Sequence, residues 1–268
     1  MQYTIKTISD LIGVAPQTIR YYEEKGLLSP AKNNRTGYRY FDVWDYGMLL
    51  NARRYLGYGF GVTECAEILN ELSLEEIGNR VSSVEMDLQR EIDEKLRMLH
   101  AIREWRKLLL SIPDNLNQCS ISIRPAMFRL ENMDDTEFID NRQIYARTKQ
   151  FLNASPFVFN SMRYPIEDVM NDTSHRYSAP GILEADAKRH GITEDDYVKF
   201  YPECTCISLI IGGENFDSML PLSKRIRPAM EFIKEKGLHL AGDIITRMDT
   251  IQKHDSGYCS YQTAWLPI

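Results

Sequence analysis

The chain has no apolar run near the ~18 residues that a membrane-spanning helix requires. Its opening residues, Met1-Gln2-Tyr3-Thr4-Ile5, carry neither the basic nor the apolar region of a secretory leader. A soluble, cytoplasmic protein without a membrane partner is therefore expected. Cysteine is scarce: five residues, at 65, 119, 204, 206 and 259, are too few and too scattered for a disulfide framework and fit a reducing compartment. Cys-x-x-Cys, Gly-x-Ser-x-Gly and Walker A patterns are absent, and the histidines at 100, 175, 190, 239 and 254 never fall at metal-ligand spacing from one another. The expectation is no metal, no cofactor and no catalytic residues. The Gly57, Gly59, Gly61 run is no phosphate loop, because a helical pattern rather than a strand leads into it. With 43% hydrophobic and 26% charged residues, disorder is excluded as well.

The charge is unevenly distributed. The net value of −6 divides into +3 over residues 1–60, −4 over 61–112 and −5 over 113–268. A basic excess confined to one end hints at a polyanionic partner for that end. Within it, Thr7 is placed to cap a helix through Ile8, Leu11 and Ile12, which Gly13 stops. Pro16 suits the first position of a second helix through Lys25, closed by Gly26. Two short helices around a tight turn fit a helix-turn-helix, or any small helical hairpin. The segment from Asn33 to Phe41 then combines turn residues with β-prone aromatics and carries Arg35 and Arg39, with Lys32 just before it. A basic hairpin directly after the helix pair reads as a wing. Asp42 and Asp45 open a third helix through Leu56, and Thr63 caps a fourth.

From the capping box Ser73-Leu74-Glu75-Glu76 one helical pattern runs to Ile112. Its apolar positions are Ile77, Val81, Val84, Leu88, Ile92, Leu96, Leu99, Ile102, Trp105, Leu109 and Ile112, a mean spacing of 3.5 residues. That is a coiled-coil period, and a helix of ~55–60 Å is too long to bury itself in a small domain. A homodimer is the better reading; packing on the chain's own C-terminal part is the other. Pro113-Asp114-Asn115 ends the helix.

The remainder reads as α+β. Strands are expected at 121–124, 157–159, 206–211, 244–246 and 258–268, with helices at 138–151 and 222–236. Two strand–helix–strand units suggest a duplication, while the polar stretch 165–200 reads as a lid or an insertion. Cys204 and Cys206 would share a face of their strand. The aromatics of this half, Phe216 among them, offer a subset able to line an apolar pocket for flat or cationic molecules.

Several N-terminal segments (Tyr3-Thr4-Ile5, Gly13-Val14, Thr18-Ile19-Arg20-Tyr21-Tyr22-Glu23, Gly26-Leu27-Leu28 and Gly37-Tyr38-Arg39-Tyr40) resemble the MerR family of transcription regulators. The C-terminal half is similar in layout to the effector domain of BmrR-like, also called GyrI-like, multidrug-binding activators. The resemblance implies a winged helix-turn-helix DNA-binding domain over 1–72, a coiled-coil dimerisation helix over 73–112 and an effector domain over 113–268. It implies a homodimer on double-stranded promoter DNA, distorting an over-long promoter spacer for RNA polymerase when a hydrophobic small-molecule effector binds. By position, the DNA contacts it implies are Thr18, Arg20, Tyr21, Tyr22, Arg35, Tyr38 and Arg39. The expected effector residues are Tyr145, Phe157, Tyr164, Tyr177, Glu203, Thr246, Tyr261 and Trp265. Thr246 stands where drug-binding relatives keep a buried glutamate, with Glu203, Asp243 and Glu167 as possible replacements. Only Cys119 lies where the family's metal sensors place cysteines, so metal sensing is not expected. The alternative is a small-molecule hydrolase or ligand-sequestering protein on the GyrI-like fold.

Overall fold

A computed structural model describes residues 2–33, 35–173, 175–213, 221–255 and 257–268; Asn34 and Phe216 lie outside the described residues. The chain forms two compact units, Met1–Leu96 and Arg97–Ile268. The first begins with α1 (Ile5–Ile12) and α2 (Pro16–Glu24). Helix α1 starts earlier than the sequence suggests: Thr4 is the cap, its hydroxyl accepting from the Thr7 amide at 3.2 Å, so Thr7 is inside the first turn. Gly13 ends α1 at φ 66°, a left-handed conformation that costs a residue with Cβ far more. The wing consists of β1 (Ala31–Lys32) and β2 (Arg39–Tyr40), antiparallel with Lys32 opposite Arg39. Helix α3 (Val43–Gly57) opens with the expected capping box between Asp42 and Asp45. Helix α4 (Val62–Asn70) instead starts at Gly61, whose amide donates to the Glu64 carboxylate at 2.8 Å, and Thr63 lies inside it. Ile8, Ile19, Tyr22, Leu27, Phe41, Leu49 and Cys65 form the common core of this unit.

Helix α5 (Leu74–Asn115) runs for 42 residues and continues through Pro113 rather than stopping before it. Ser73 and Glu76 make its N-terminal box: the Ser73 amide and hydroxyl donate to the Glu76 carboxylate at 2.8 and 2.7 Å. Of the predicted apolar stripe, Ile77 and Val84 pack on the first unit's core and Ile112 is buried. Leu88, Ile92, Leu96, Leu99 and Ile102 remain 41–58% exposed within one chain.

The second unit is a large antiparallel sheet. Its strands are β3 (Ser120–Arg124), β4 (Met127–Leu130), the short β5 (Met133–Asp134) and β6 (Glu137–Phe138), β7 (Val158–Tyr164), β8 (Tyr177–Leu183), β9 (Val198–Tyr201), β10 (Cys204–Gly213), β11 (Ile244–His254) and β12 (Gly257–Pro267). The main order is β3-β10-β12-β11-β7-β8-β4-β9. Read outward from the central β7–β11 pair, one half runs β7-β8-β4-β9 and the other β11-β12-β10-β3. Each half places its second, third and first strands in turn and finishes on a strand that directly precedes the other half's first strand. That is the duplication expected from the sequence. The helices are α6 (Arg142–Asn153), α7 (Ile166–Met170), α8 (Glu184–Arg189), α9 (Leu222–Arg225) and α10 (Arg227–Glu235).

Three segments depart from the sequence reading. Phe138 lies in β6, and α6 begins only at Arg142 behind its Asn141 cap. The stretch 165–200 is no lid: its two strands, β8 and β9, are integral to the sheet. Ile226 separates α9 from α10, since Pro228 in the first turn of α10 has no amide to continue the helix. One sheet face is covered by helices, with α7, α9 and α10 over Ile207, Leu209, Ile244 and Leu266, and α6 and α8 over Phe128, Leu130 and Ile182. The other face gathers a cluster of strand residues alone: Met127, Cys206, Ile245 and Trp265, with Phe159, Leu183, Tyr201 and Cys204 against them.

Candidate nucleic-acid interface and ligand face

Helix α2 buries Ile19 completely and Tyr22 to 8% exposure, which fixes what its other side presents. Arg20 and Tyr21 are exposed and Thr18 is half-buried, while Lys25 extends over the Tyr21 ring at 5.6 Å. Sequence reasoning missed Lys25, although its spacing of four residues from Tyr21 places the two side by side on a helix. Tyr22 packs in the core, and burial above all pushes its phenol pKa up. On the wing, Arg35 and Tyr38 are exposed, Tyr38 at 71%.

Arg39 has a second occupation that the sequence does not reveal. Its Nε donates to Glu23 Oε2 at 2.5 Å, and Lys32 Nζ reaches Glu23 Oε1 at 2.7 Å. Glu23 on α2 thus holds both strands of the wing. Burial alone would raise its carboxyl, but the bonds from Lys32 and Arg39 outweigh that and hold it below its ordinary value. A further cation, Arg53, donates through Nη1 to the Ile12 carbonyl and closes the end of α1. The basic excess of this end therefore divides. Arg20, Lys25 and Arg35 point outward, while Arg39, Lys32 and Arg53 organise the unit.

In the second unit, strand alternation sorts the predicted effector residues onto different surfaces. Tyr164 and Thr246 lie on the helix-covered face: Tyr164 packs there at 1% exposure, and Thr246 is opposite Ala264 of the same cluster. Thr246 is fully buried, and its Oγ1, like Oε1 of nearby Gln262, has no hydrogen-bond partner among the described residues. Trp265 is on the other face, and alternation along β12 puts Tyr261 there too. Tyr177 also turns to that face, with the Arg163 guanidinium 4.4 Å over its ring. Tyr145 is 44% exposed on α6, its hydroxyl donating to Asp140 at 2.9 Å. Phe157 sits 6.1 Å from the His190 ring, and Glu203 is exposed in the turn between β9 and β10. The eight residues do not line one cavity.

The face opposite the helices holds charge that sequence reasoning does not find. Arg129 is fully buried; its Nε donates to Ser161 Oγ at 2.7 Å and its Nη2 to the Tyr177 carbonyl at 3.1 Å. Burial is the main cause holding its pKa below the ordinary arginine value. Arg163 bonds Glu131 and Asp243 together. Asp249, 7% exposed, sits where the β11–β12 register slips, and it accepts from Arg247 Nε at 2.9 Å and the Thr263 hydroxyl at 2.6 Å. Burial raises the Asp249 carboxyl pKa despite Arg247 beside it. The Asp249 carbonyl accepts from the Trp105 indole at 2.9 Å, so Trp105 of the long helix is tied to a strand of its own chain. The Cys204 and Cys206 sulfurs do share one face, 3.4 Å apart, and burial first and Cys204 second push the Cys206 thiol up to about 12. Among the described residues, no group of three or more His, Cys, Asp or Glu is placed to hold a metal, and no helix is long and apolar enough to cross a membrane.

Residues 3–72 match the family model described as MerR HTH family regulatory protein. The HTH-type transcriptional regulator HmrR of Rhizobium leguminosarum bv. viciae is 33% identical over 131 residues, covering 47% of this chain and 94% of its own. The HTH-type transcriptional activator mta of Bacillus subtilis (strain 168) is 23% identical over 149 residues, 55% of this chain and 56% of its own. The cryo-EM structure of the EcmrR–DNA complex in EcmrR-RPo aligns over 99% of this chain and 98% of its own, at 16% identity and a TM-score of 0.35.

Proposed function

The chain belongs to the MerR family of helix-turn-helix regulatory proteins, and on that premise we propose that it is a dimeric, ligand-responsive transcription regulator. The observation that carries the DNA-binding part is the outward set on α2 and the wing. Arg20, Tyr21, Arg35 and Tyr38 are all exposed, on elements that Ile19, Tyr22 and the Glu23 bridge hold in place. Guanidinium groups and tyrosine hydroxyls suit phosphate oxygens, and a recognition helix brings Thr18 and Arg20 toward base edges. Two such units on one dimer would read a near-palindromic operator, each wing gripping the flanking backbone. The stripe of Leu88, Ile92, Leu96, Leu99 and Ile102 supports association through α5, because an apolar seam of period 3.5 is stable only when a second helix covers it. The second unit then holds a hydrophobic effector, and its binding drives a distortion of promoter DNA that RNA polymerase can use.

A mobility-shift titration on random-sequence duplex DNA at several salt concentrations tests the core of this reading. Arg20→Ala and Arg35→Ala should each weaken binding to all sequences. Each should also flatten the salt slope, by about one unit for every phosphate that a subunit no longer neutralises. Unchanged affinity and slope in both variants would remove the winged helix from DNA.

A further inference from the structure

We propose that the face of the second unit opposite α6–α10 binds an aromatic organic anion, its carboxylate or sulfonate held by the guanidinium of Arg247. The inference rests on reading this unit as the ligand-binding one and names the class of its ligand. Arg247 stands between two rings, with Cζ 5.9 Å from the centre of Phe159 and 5.6 Å from that of Trp265. Its Nε is bound by Asp249, which fixes the plane of the fork. Among the described residues Nη1 and Nη2 meet no acceptor, and the side chain is 27% exposed. That is a preorganised donor pair of the geometry that matches a carboxylate. Phe159 lies flat across β8: a Cβ on Gly181 would come within 2.6 Å of its ring, so glycine there lets the ring serve as a platform. Met127, Ile245 and Leu183 supply an apolar floor.

The charges of this face sort by sign. Three carboxylates are already spent on the protein: Asp249 on Arg247 and Thr263, Glu131 on Arg163 and Arg129, Asp243 on Arg163 and the Ile166 amide. Among the described residues, arginine donors are left over. Besides the Arg247 fork, Arg124 is 5% exposed, stands 5.8 Å from the Tyr201 ring centre, and has an Nε without a partner among the described residues. A ligand cation would find the faces of Phe159 and Trp265 occupied by Arg247 and would meet its charge at short range. An anion meets an unspent donor pair and two aromatic walls.

Three naphthalene probes of near-equal shape decide the matter by calorimetry on the full chain: 1-naphthoate, neutral 1-naphthamide and cationic 1-naphthylmethylammonium. The naphthoate should bind at least ~10-fold tighter than either of the others, as charge-assisted pairing predicts. Arg247→Gln should cut that preference to under ~3-fold, while Phe159→Leu should weaken all three probes alike. Should Arg247→Gln fail to fold for want of the Asp249 partner, Arg247→Lys keeps the charge without the fork and should lose part of the preference. The ranking on the unaltered chain needs no variant at all. Equal or tighter binding of the amide or the ammonium would overturn the anion inference and leave the ligand-binding reading standing. An anion preference that survives both Arg247 changes would place the site elsewhere. If none of the three binds, the ligand-binding reading falls, and this inference with it.

Discussion

Replacing Glu23 by alanine cuts the link between the second helix and both strands of the wing. The Arg39–Glu23 hydrogen bond is 2.5 Å long between side chains 33% and 14% exposed, and the Lys32 partner is 55% exposed. A part-buried charged hydrogen bond contributes about 1.5–3 kcal/mol, at the lower end here because Arg39 reaches solvent. The Lys32 pair adds about 0–1 kcal/mol. The expected loss is about 2 kcal/mol in the first unit, read by hydrogen exchange of peptides from the second and third helices in the full chain. A double-mutant cycle with Arg39→Ala should return about 1–2 kcal/mol of coupling. The pH dependence has a fixed sign. A carboxyl held below its unfolded value contributes fully above the unfolded pKa and loses that contribution as pH falls through the folded one. Wild type and Glu23→Ala should therefore differ at neutral pH and converge in acid, below the ordinary carboxylate range. A coupling under about 0.3 kcal/mol, or a difference that persists in acid, would refute the clamp.

The same geometry sets three other outcomes. Charges placed by Leu96→Asp together with Leu99→Asp fall on side chains 58% and 41% exposed in one chain, so the fold should survive while sedimentation shows monomers and operator binding is lost; a wild-type chain already monomeric at micromolar concentration would sink the seam. Gly181→Ala forces a Cβ to within 2.6 Å of the Phe159 ring and should cost about 1–3 kcal/mol in a thermal melt, relieved in part by Phe159→Leu. His175 is bonded by Asp134 at 2.7 Å and Asp168 at 3.0 Å, which raises its pKa. Its contribution should be complete below the unfolded histidine pKa and lost as pH rises through the folded one. Proton NMR of the imidazole should show that pKa fall in Asp134→Asn.

The first unit is legible in the sequence because its signals are local. Pro16, Gly13, the Asp42–Asp45 box and the Ser73–Glu76 box each act within four residues, and the structure places all of them as the spacing implies. The errors there are of one kind. Threonine caps well, so Thr7 and Thr63 read as caps, yet Thr4 and Gly61 fill those positions, a shift within the usual slack of helix boundaries. Tyr22 and Arg39 have surroundings that local spacing does not encode. Tyr22 shares a core with Ile19 and Phe41, and Arg39 is bonded by Glu23, sixteen residues away, so packing across the fold sets both side chains.

The second unit is legible as layout and not as a site, and strand geometry says why. Successive strand residues face opposite ways, so an alignment that is right to one residue still chooses the wrong face half the time. Thr246 and Arg247 are neighbours in sequence, yet one is sealed beneath the helix-covered side and the other is a forked cation between two rings on the reverse. The register slip at Asp249 compounds this, because a bulge re-aims the side chains beyond it. The partners that fix these residues are remote: Arg129 meets Ser161, Arg163 meets Asp243, and Asp249 meets both Thr263 and, through its carbonyl, Trp105. A separation of 144 residues between Trp105 and Asp249 leaves no periodic trace in the sequence. The one local signal is compositional. Arg124, Arg129, Arg163 and Arg247 each stand in or at the end of a β-prone segment, where a charge on an inward-facing strand position is costly unless something meets it. For Arg129 and Arg163 the protein supplies that partner; for the outer donors of Arg247 none is present among the described residues, and the proposed anion would be the group that meets them.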